Sequence, residues 1–228
     1  MRRSGPQLTQ RDRKILGWIA RHGIVTADQV ARRFFLRDGG SAGKRAAYRR
    51  LGVLEQMGLL RRDRTPFWRA PHVLRATKAG VEMGEVDVAP ARIVEPELRH
   101  ALALVDLMEE LQQAHPKWTI RTEREIRTDR WHERHAGTRD PARGRTPDGQ
   151  LTMPGGKTIA IELDLTPKRS KDFERILRAY RQERFDKVWW YVLPGVVPRV
   201  AKLVKDNRVD DFIEVRPWNP IYTSALTG

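Results

Sequence analysis

The most constraining stretch of the 228-residue sequence is an apolar strand that contains two acidic side chains, Ala-Ile-Glu-Leu-Asp-Leu at residues 160–165. Side chains alternate between the two faces of a strand, so Ile161 and Leu163 share one face while Glu162 and Asp164 share the other. Two neighbouring carboxylates repel each other, and burying either costs several kcal/mol unless a positive group compensates. The sequence therefore predicts a buried strand with a cation beside it.

The positive charge of the chain is concentrated near its amino-terminal end. The whole sequence has a formal net charge of +15, and residues 1–80 contain 19 Lys and Arg against 5 Asp and Glu, a net charge of +14. The other 148 residues are almost neutral, with 25 basic and 24 acidic residues. Counterion release from a polyanion is a strong, sequence-independent source of affinity. The charge distribution therefore predicts nucleic acid as the partner, the alternative being basic residues that serve solubility alone.

The composition excludes several classes of protein. The chain has no cysteine, which rules out disulfides, thiolate zinc sites and thiol catalysis. No apolar run approaches the ~18 residues that span a bilayer, and the first residues lack the apolar core of a signal peptide. We therefore expect a soluble, cytoplasmic protein.

The first part of the sequence has the pattern of three helices followed by a hairpin. Thr9 and Thr26 are typical helix caps, and Thr26 has Gln29 at the spacing of a capping box. A third helix is predicted from Ser41 to about Met57. A strand, a basic tip and a returning strand follow in the sequence GLLRRDRTPFWR. This order resembles that of many bacterial winged-helix regulators and predicts a winged helix-turn-helix domain.

In such a domain, here residues 1–82, the third helix enters the major groove and the hairpin reaches the flanking backbone. We therefore expect DNA contacts from basic residues of the third helix and the hairpin. The alternatives are that these cations only solvate a helix face or pair with Asp63 and Glu55, and that Tyr48 belongs to the core. The candidate DNA-binding residues are Lys44, Arg45, Tyr48, Arg49, Arg61, Arg62 and Arg64.

A second domain is predicted after a linker. Residues 83–94 include Pro90 and charges of both signs, which is typical of a linker. Residues 95–228 have the pattern of a helix, three strands, a helix, a strand, a helix and a last strand. Strands that alternate with helices favour some parallel pairing, so the predicted fold class is α/β. The side chains of Trp189 and Trp190 should lie on opposite faces of their strand. One is expected in the core and the other against a helix or a partner.

A segment within this domain is predicted to be a mobile loop. Residues 128–146 are rich in Gly, Pro and Arg and have no hydrophobic periodicity. His132 and His135 have the spacing His-x-x-His, and a zinc ligand pair is the alternative interpretation. The arginines of this segment are candidates for contacts with DNA phosphates: Arg130, Arg134, Arg139, Arg143 and Arg145.

The order of elements, with Pro-Asp-Gly at residues 147–149 and Glu162 in the next strand, resembles the PD-(D/E)XK nuclease-like fold. The resemblance implies that Asp148 and Glu162 hold Mg²⁺ or Mn²⁺, and Asp164 would add a third carboxylate to that metal site. In that fold a lysine two residues after the glutamate assists the attacking water, and here Asp164 occupies its place. Lys168 is the candidate to replace this lysine, so these four residues are the candidate catalytic set.

The same fold can also be inactive. In that interpretation Arg121, Lys168 or Arg169 neutralises the carboxylates of the strand through ion pairs, and no metal is needed. We favour an inactive nuclease-like fold, because the lysine of the nuclease motif is missing from its usual place.

The chain combines the pattern of a winged helix with the motif PDG, which ELDLTPK follows at short range. This combination is similar to the replication-relaxation family of plasmids, phages and other mobile elements. The resemblance covers most of the chain and implies DNA binding tied to replication or DNA processing. We therefore expect a double-stranded DNA-binding protein in replication control or transcription regulation, and a homodimer if it binds paired half-sites. The alternatives are a Mg²⁺-dependent endonuclease or nickase directed by the winged helix, and a scaffold that recruits replication or transcription partners.

Overall fold

The computed structural model describes residues 7–36, 41–66, 72–137, 145–166, 170–181 and 185–220. They form two compact units, the first ending at Asp106 and the second beginning at Leu107. The division falls inside a helix and not at residues 83–94. Ala91 and Leu98 are buried in an apolar cluster of the first unit, which explains why residues on both sides of position 94 belong to that unit.

The first unit contains helices and one hairpin. Its elements are α1 (Gln10–His22), α2 (Ala27–Phe34), α3 (Ser41–Gln56), β1 (Leu60–Arg64), β2 (His72–Ala76), α4 (Lys78–Met83) and the first part of α5 (Leu98–Ala114). Strands β1 and β2 pair antiparallel. The predicted caps are confirmed, because Thr9 caps α1 and Thr26 forms its capping box with Gln29.

The apolar stripe of α1 organises the core of the first unit. Ile15 and Ile19 are fully buried and belong to one cluster with Leu51 and Leu54 of α3. Burial of one such side chain contributes about 1.5–3 kcal/mol, so this contact fixes α3 against α1. The opposite side of α3 is left for solvent.

The second unit is built on a five-stranded mixed sheet, which confirms the α/β fold class. Its strands are β3 (Thr119–Thr122), β4 (Gly149–Thr152), β5 (Thr158–Asp164), β6 (Lys187–Val192) and β7 (Ile213–Pro217), adjacent in that order. The first three strands pair antiparallel and the last three pair parallel, as the alternation of strands and helices predicts. Its helices are α6 (Glu123–His135), α7 (Ser170–Arg181) and α8 (Val197–Asp206), besides the end of α5.

Helix α6 corrects the prediction of a loop for residues 128–135, the part of the segment 128–146 that it includes. Residues 138–144, with the candidate phosphate contacts Arg139 and Arg143, lie outside the described residues. Thr122 and Glu125 form a capping box at its start, with acidic residues in the first turn and basic residues in the last. Ile126 is the one residue of α6 that is buried. A helix held by its caps and charges has little hydrophobic periodicity, which is why the pattern indicated a loop.

The two faces of the sheet differ. Trp190 is fully buried in an apolar cluster with Phe173 of α7 and Val200 of α8. The pairing of β5 with β6 sets Glu162 beside Trp190, on the face that α7 covers. Trp189 lies on the other face, where its ring centroid is 5.9 Å from that of Trp118. The hydrogen-bond partners of Glu162 must therefore lie on the face of the sheet that α7 covers.

No helix in the described ranges is both long and apolar enough to cross a membrane.

The close approach of α1 and α4 can be tested at a glycine. Gly17→Ala should lower the free energy of unfolding by about 1–3 kcal/mol, because the new Cβ would lie 2.6 Å from the carbonyl oxygen of Gly84. Gly52→Ala in α3 is the matched control, with no described atom within 4 Å of its Cβ. It should raise stability by about 0.5–1 kcal/mol through helix propensity. Urea unfolding checks both values, and an equal effect of the two substitutions would contradict the packing.

Candidate functional site

The solvent side of α3 presents a basic concave surface. A cavity of about 540 Å³ is lined by Lys44, Arg45, Tyr48 and Arg49. Their spacing along α3 puts all four side chains on one face. Tyr48 is 40% exposed, so it is not a core residue. The structure thus brings together the four residues of the third helix that the sequence indicated. This group is called the α3 basic face below.

An acidic residue of α2 lies against this face. Asp28 accepts a hydrogen bond from the hydroxyl of Tyr48 at 2.9 Å and pairs with Nζ of Lys44 at 2.8 Å. Nζ of Lys44 also lies 5.9 Å from the centroid of the Tyr48 ring. Asp28 therefore holds two of the four side chains in place while it neutralises one positive charge. No sequence pattern indicated this role, because it depends on how α2 packs against α3.

A neighbouring arginine of α3 faces inward. Asp12 of α1 is 1% exposed, and Nε of Arg50 donates to its Oδ1 at 2.7 Å. Burial acts to raise the pKa of Asp12, but hydrogen bonds from Arg50 and Thr9 outweigh it, and the pKa is lowered. Arg50 is thereby committed to joining α3 to α1, while Arg45 and Arg49 point away from the core.

The hairpin cations are partly engaged with acidic residues. Nε of Arg61 lies 3.1 Å from Oδ1 of Asp63, and Nε of Arg62 lies 3.1 Å from Oε2 of Glu55. These are the pairs that the sequence offered as an alternative to DNA contacts. Arg64, at the end of β1, is exposed.

The second candidate site is the pair of carboxylates at the junction of β4 and β5. Glu162 is completely buried, and Asp148 is 8% exposed. Oδ2 of Asp148 accepts a hydrogen bond from the backbone N–H of Leu163 at 2.8 Å, which places the two carboxylates next to each other. Asp164 is also buried, two residues further along β5. Lys168 and Arg169 lie outside the described residues.

The cation beside Glu162 is Arg145. Nε of Arg145 donates to Oε1 of Glu162 at 3.1 Å, and Nη2 donates to Oε2 at 3.0 Å. The hydroxyl of Tyr180 on α7 donates a further, short hydrogen bond to Oε1. Arg121, one of the three candidates for the neutralising residue, instead pairs with Asp129. Knowledge of the antiparallel register would have indicated Arg145, because Gly149 is opposite Ile161 and the residues preceding β4 therefore lie near the end of β5.

Burial and charge shape the protonation of this centre. Burial raises the pKa of Glu162, the charge of Asp148 raises it further, and the hydrogen bonds of Arg145 and Tyr180 oppose the rise. Burial acts to lower the pKa of Arg145, but Glu162 outweighs it and the pKa is raised. Burial and then the charge of Glu162 raise the pKa of Tyr180, so this phenol stays neutral and donates a hydrogen bond to Glu162. Arg145 is therefore a permanent cation beside Glu162, where the resemblance to the nuclease-like fold implies a metal.

The donor set of this centre does not fit a divalent metal in this arrangement. Both oxygens of Glu162 accept hydrogen bonds from Arg145, and one oxygen of Asp148 is bonded to the backbone. No group of three or more Asp, Glu or His side chains within the described part of the chain is placed to hold a metal ion. His132 and His135 lie on α6, where Nδ1 of His135 donates to the carbonyl of Trp131 at 2.8 Å.

A family model described as replication-relaxation matches residues 16–193, which span both compact units. No curated protein matches the chain.

The pairing of Arg145 with Glu162 predicts a specific pattern of stability. Arg145→Met should lower the free energy of unfolding by about 3 kcal/mol, because a buried carboxylate then loses its cation. Adding Glu162→Gln should recover part of that loss, because the neutral amide needs no counter-charge. Urea unfolding of the two single variants and the double variant gives the coupling energy, expected to exceed about 1 kcal/mol. Additive effects of the two substitutions would contradict the ion pair.

Proposed function

The chain belongs to the replication-relaxation family, and from this membership we propose that it is a double-stranded DNA-binding protein acting in the replication of a mobile element. Membership of the family confirms the resemblance found in the sequence. The observation that supports DNA binding best is the α3 basic face, a concave surface lined by three cations and an exposed tyrosine. Such a surface suits a helix that contacts phosphates and base edges in the major groove.

We further propose that the first unit is a winged helix-turn-helix domain. Three helices in the order α1, α2, α3 are followed by the antiparallel hairpin β1–β2, which supports that assignment. In this arrangement α3 is the recognition helix and Arg64 lies on the wing. Arg61 and Arg62 would reach phosphates only by exchanging their acidic partners, so we assign them a smaller share of the affinity.

The charge of the first 80 residues supplies the driving force. Their net charge of +14 favours release of counterions from a duplex, and this term is independent of sequence. Specificity then depends on the base contacts of α3. We propose replication control as the role, with transcription regulation as a second outcome of the same site-specific binding.

The test of DNA binding is the double variant Arg45→Ala and Arg49→Ala. It should weaken binding to the cognate duplex at fixed salt by about 1–3 kcal/mol for each specific contact. Arg11→Ala with Arg13→Ala is the matched control, because it removes the same charge from exposed positions on α1. Fluorescence anisotropy with full-length protein measures both affinities, the duplex being one selected from a random pool. An equal loss in the two variants would mean that only net charge matters and that α3 does not contact bases.

Asp28 gives a second prediction from the same surface. Asp28→Asn should strengthen binding to random-sequence duplex and increase the salt slope by about one counterion, because Lys44 is released for a phosphate. Glu82→Gln removes the same charge from the exposed side of α4 and should leave the slope unchanged. Binding isotherms at four salt concentrations measure the slope, and an equal slope for the two variants would exclude a role of Lys44.

A second candidate function is a Mg²⁺- or Mn²⁺-dependent endonuclease or nickase. The observation that favours it is the adjacency of Asp148 and Glu162 at the junction of β4 and β5, as in the nuclease-like fold that the sequence resembles. The bidentate pairing of Glu162 with Arg145 favours an inactive fold instead. Incubation of supercoiled plasmid with the protein and Mg²⁺ or Mn²⁺ distinguishes the active from the inactive fold. An active enzyme would produce nicks, and Glu162→Ala would abolish them. If many different DNAs stay intact with either cation, the endonuclease is excluded.

A further inference from the structure

The geometry of α6 points to a second nucleic-acid surface, at which Trp131 stacks on an unpaired base of a single strand. Trp131 is 49% exposed, which is unusual for so large an apolar side chain. The buried residue of α6, Ile126, lies about 140° away around the helix, so Trp131 does not lie on the side of α6 that is buried. The indole is therefore available to a partner.

The charges of α6 are separated around the helix axis. Arg127 and Arg134 lie four residues before and three residues after Trp131, and His135 lies four residues after it, so all three share its face. Asp129 and Glu133 are about 160° away, on the opposite side. A face with an exposed indole, two guanidinium groups and an imidazole matches the two needs of a single strand, a stacking plane and cations for phosphates.

Two contacts hold the indole in place. The ring of His135 lies 3.9 Å from the Trp131 ring, centroid to centroid, and His132 meets it at 5.1 Å in a T-shaped arrangement. Because a carbonyl oxygen only accepts hydrogen bonds, Nδ1 of His135 is the donor to the carbonyl of Trp131 at 2.8 Å. These contacts restrain the Trp131 side chain within one helical turn. The restraint lowers the conformational entropy that Trp131 loses when a base stacks on it.

The two arginines beside the indole, Arg127 and Arg134, differ in their contacts with acidic residues. Nη2 of Arg127 lies 2.5 Å from Oε1 of Glu123 one turn earlier, in a surface pair of a kind that contributes little to stability. A phosphate can displace so weak a partner. Arg134 is exposed. This surface consists of residues of the second unit, whereas the α3 basic face consists of residues of the first.

The experiment uses the full chain with Arg45→Ala and Arg49→Ala, so that α3 contributes little, and a fluorescein-labelled 15-nucleotide oligo(dT). Trp131→Ala should weaken binding about 5- to 150-fold, the range for one stacked base. Trp131→Phe should retain most of the affinity, because the phenyl ring also stacks. Arg134→Gln should weaken binding and reduce the salt slope, whereas Arg175→Gln, an exposed arginine of α7, should do neither.

Three outcomes would overturn the inference. The first is unchanged oligo(dT) affinity in Trp131→Ala. The second is that Trp131→Ala weakens binding to a 20-base-pair duplex as much as it weakens binding to oligo(dT), which would indicate a site for the phosphate backbone and no stacking. The third is a shift from dimer to monomer in sedimentation caused by Trp131→Ala, which would assign the surface to a second copy of the chain. Because the assay is run without Arg45 and Arg49 of α3, it gives its answer whether or not α3 binds duplex DNA.

Discussion

The structure depends on pairing three buried carboxylates, those of Asp12, Asp106 and Glu162, with arginines from elsewhere in their own unit. Asp12 of α1 pairs with Arg50 of α3, and Asp106 of α5, 2% exposed, lies 2.5 Å from Nη2 of Arg32 of α2. Glu162 of β5 pairs with Arg145. A buried charge without a partner costs several kcal/mol, so these pairs fix which helix faces turn inward.

The same pairing decides which cations remain for a partner. In α3, Arg50 is used to hold the helix against α1, and the residues on the other side of the helix line an open cavity. In the second unit, Arg145 is used within the carboxylate centre. Some arginines of this basic chain are thus used in internal ion pairs, and others lie on exposed surfaces. The α3 basic face and the Trp131 face of α6 belong to the second group.

Much of the fold follows from local sequence signals. Capping residues such as Thr9 and Thr26 and the alternation of the strand around Glu162 predict the helices and strands at nearly their observed positions. Helix α6 was not predicted, because its stability comes from a capping box and charges and only Ile126 is buried. The partner of Glu162 was not predicted either, since it depends on the register of β4 against β5, a non-local property. The cations of α3 were predicted because the helical period alone assigns their face.

The most direct measurement is site-specific photocrosslinking from α3 to a duplex. With Tyr48→p-benzoylphenylalanine, the account predicts crosslinks to bases of a selected duplex, since the side chain at this position is exposed in the middle of the α3 basic face. The same replacement at Glu82, exposed on α4, should give none. Crosslinks from Glu82→p-benzoylphenylalanine alone, or equal yields from the two positions, would contradict the claim that α3 is the DNA-binding helix.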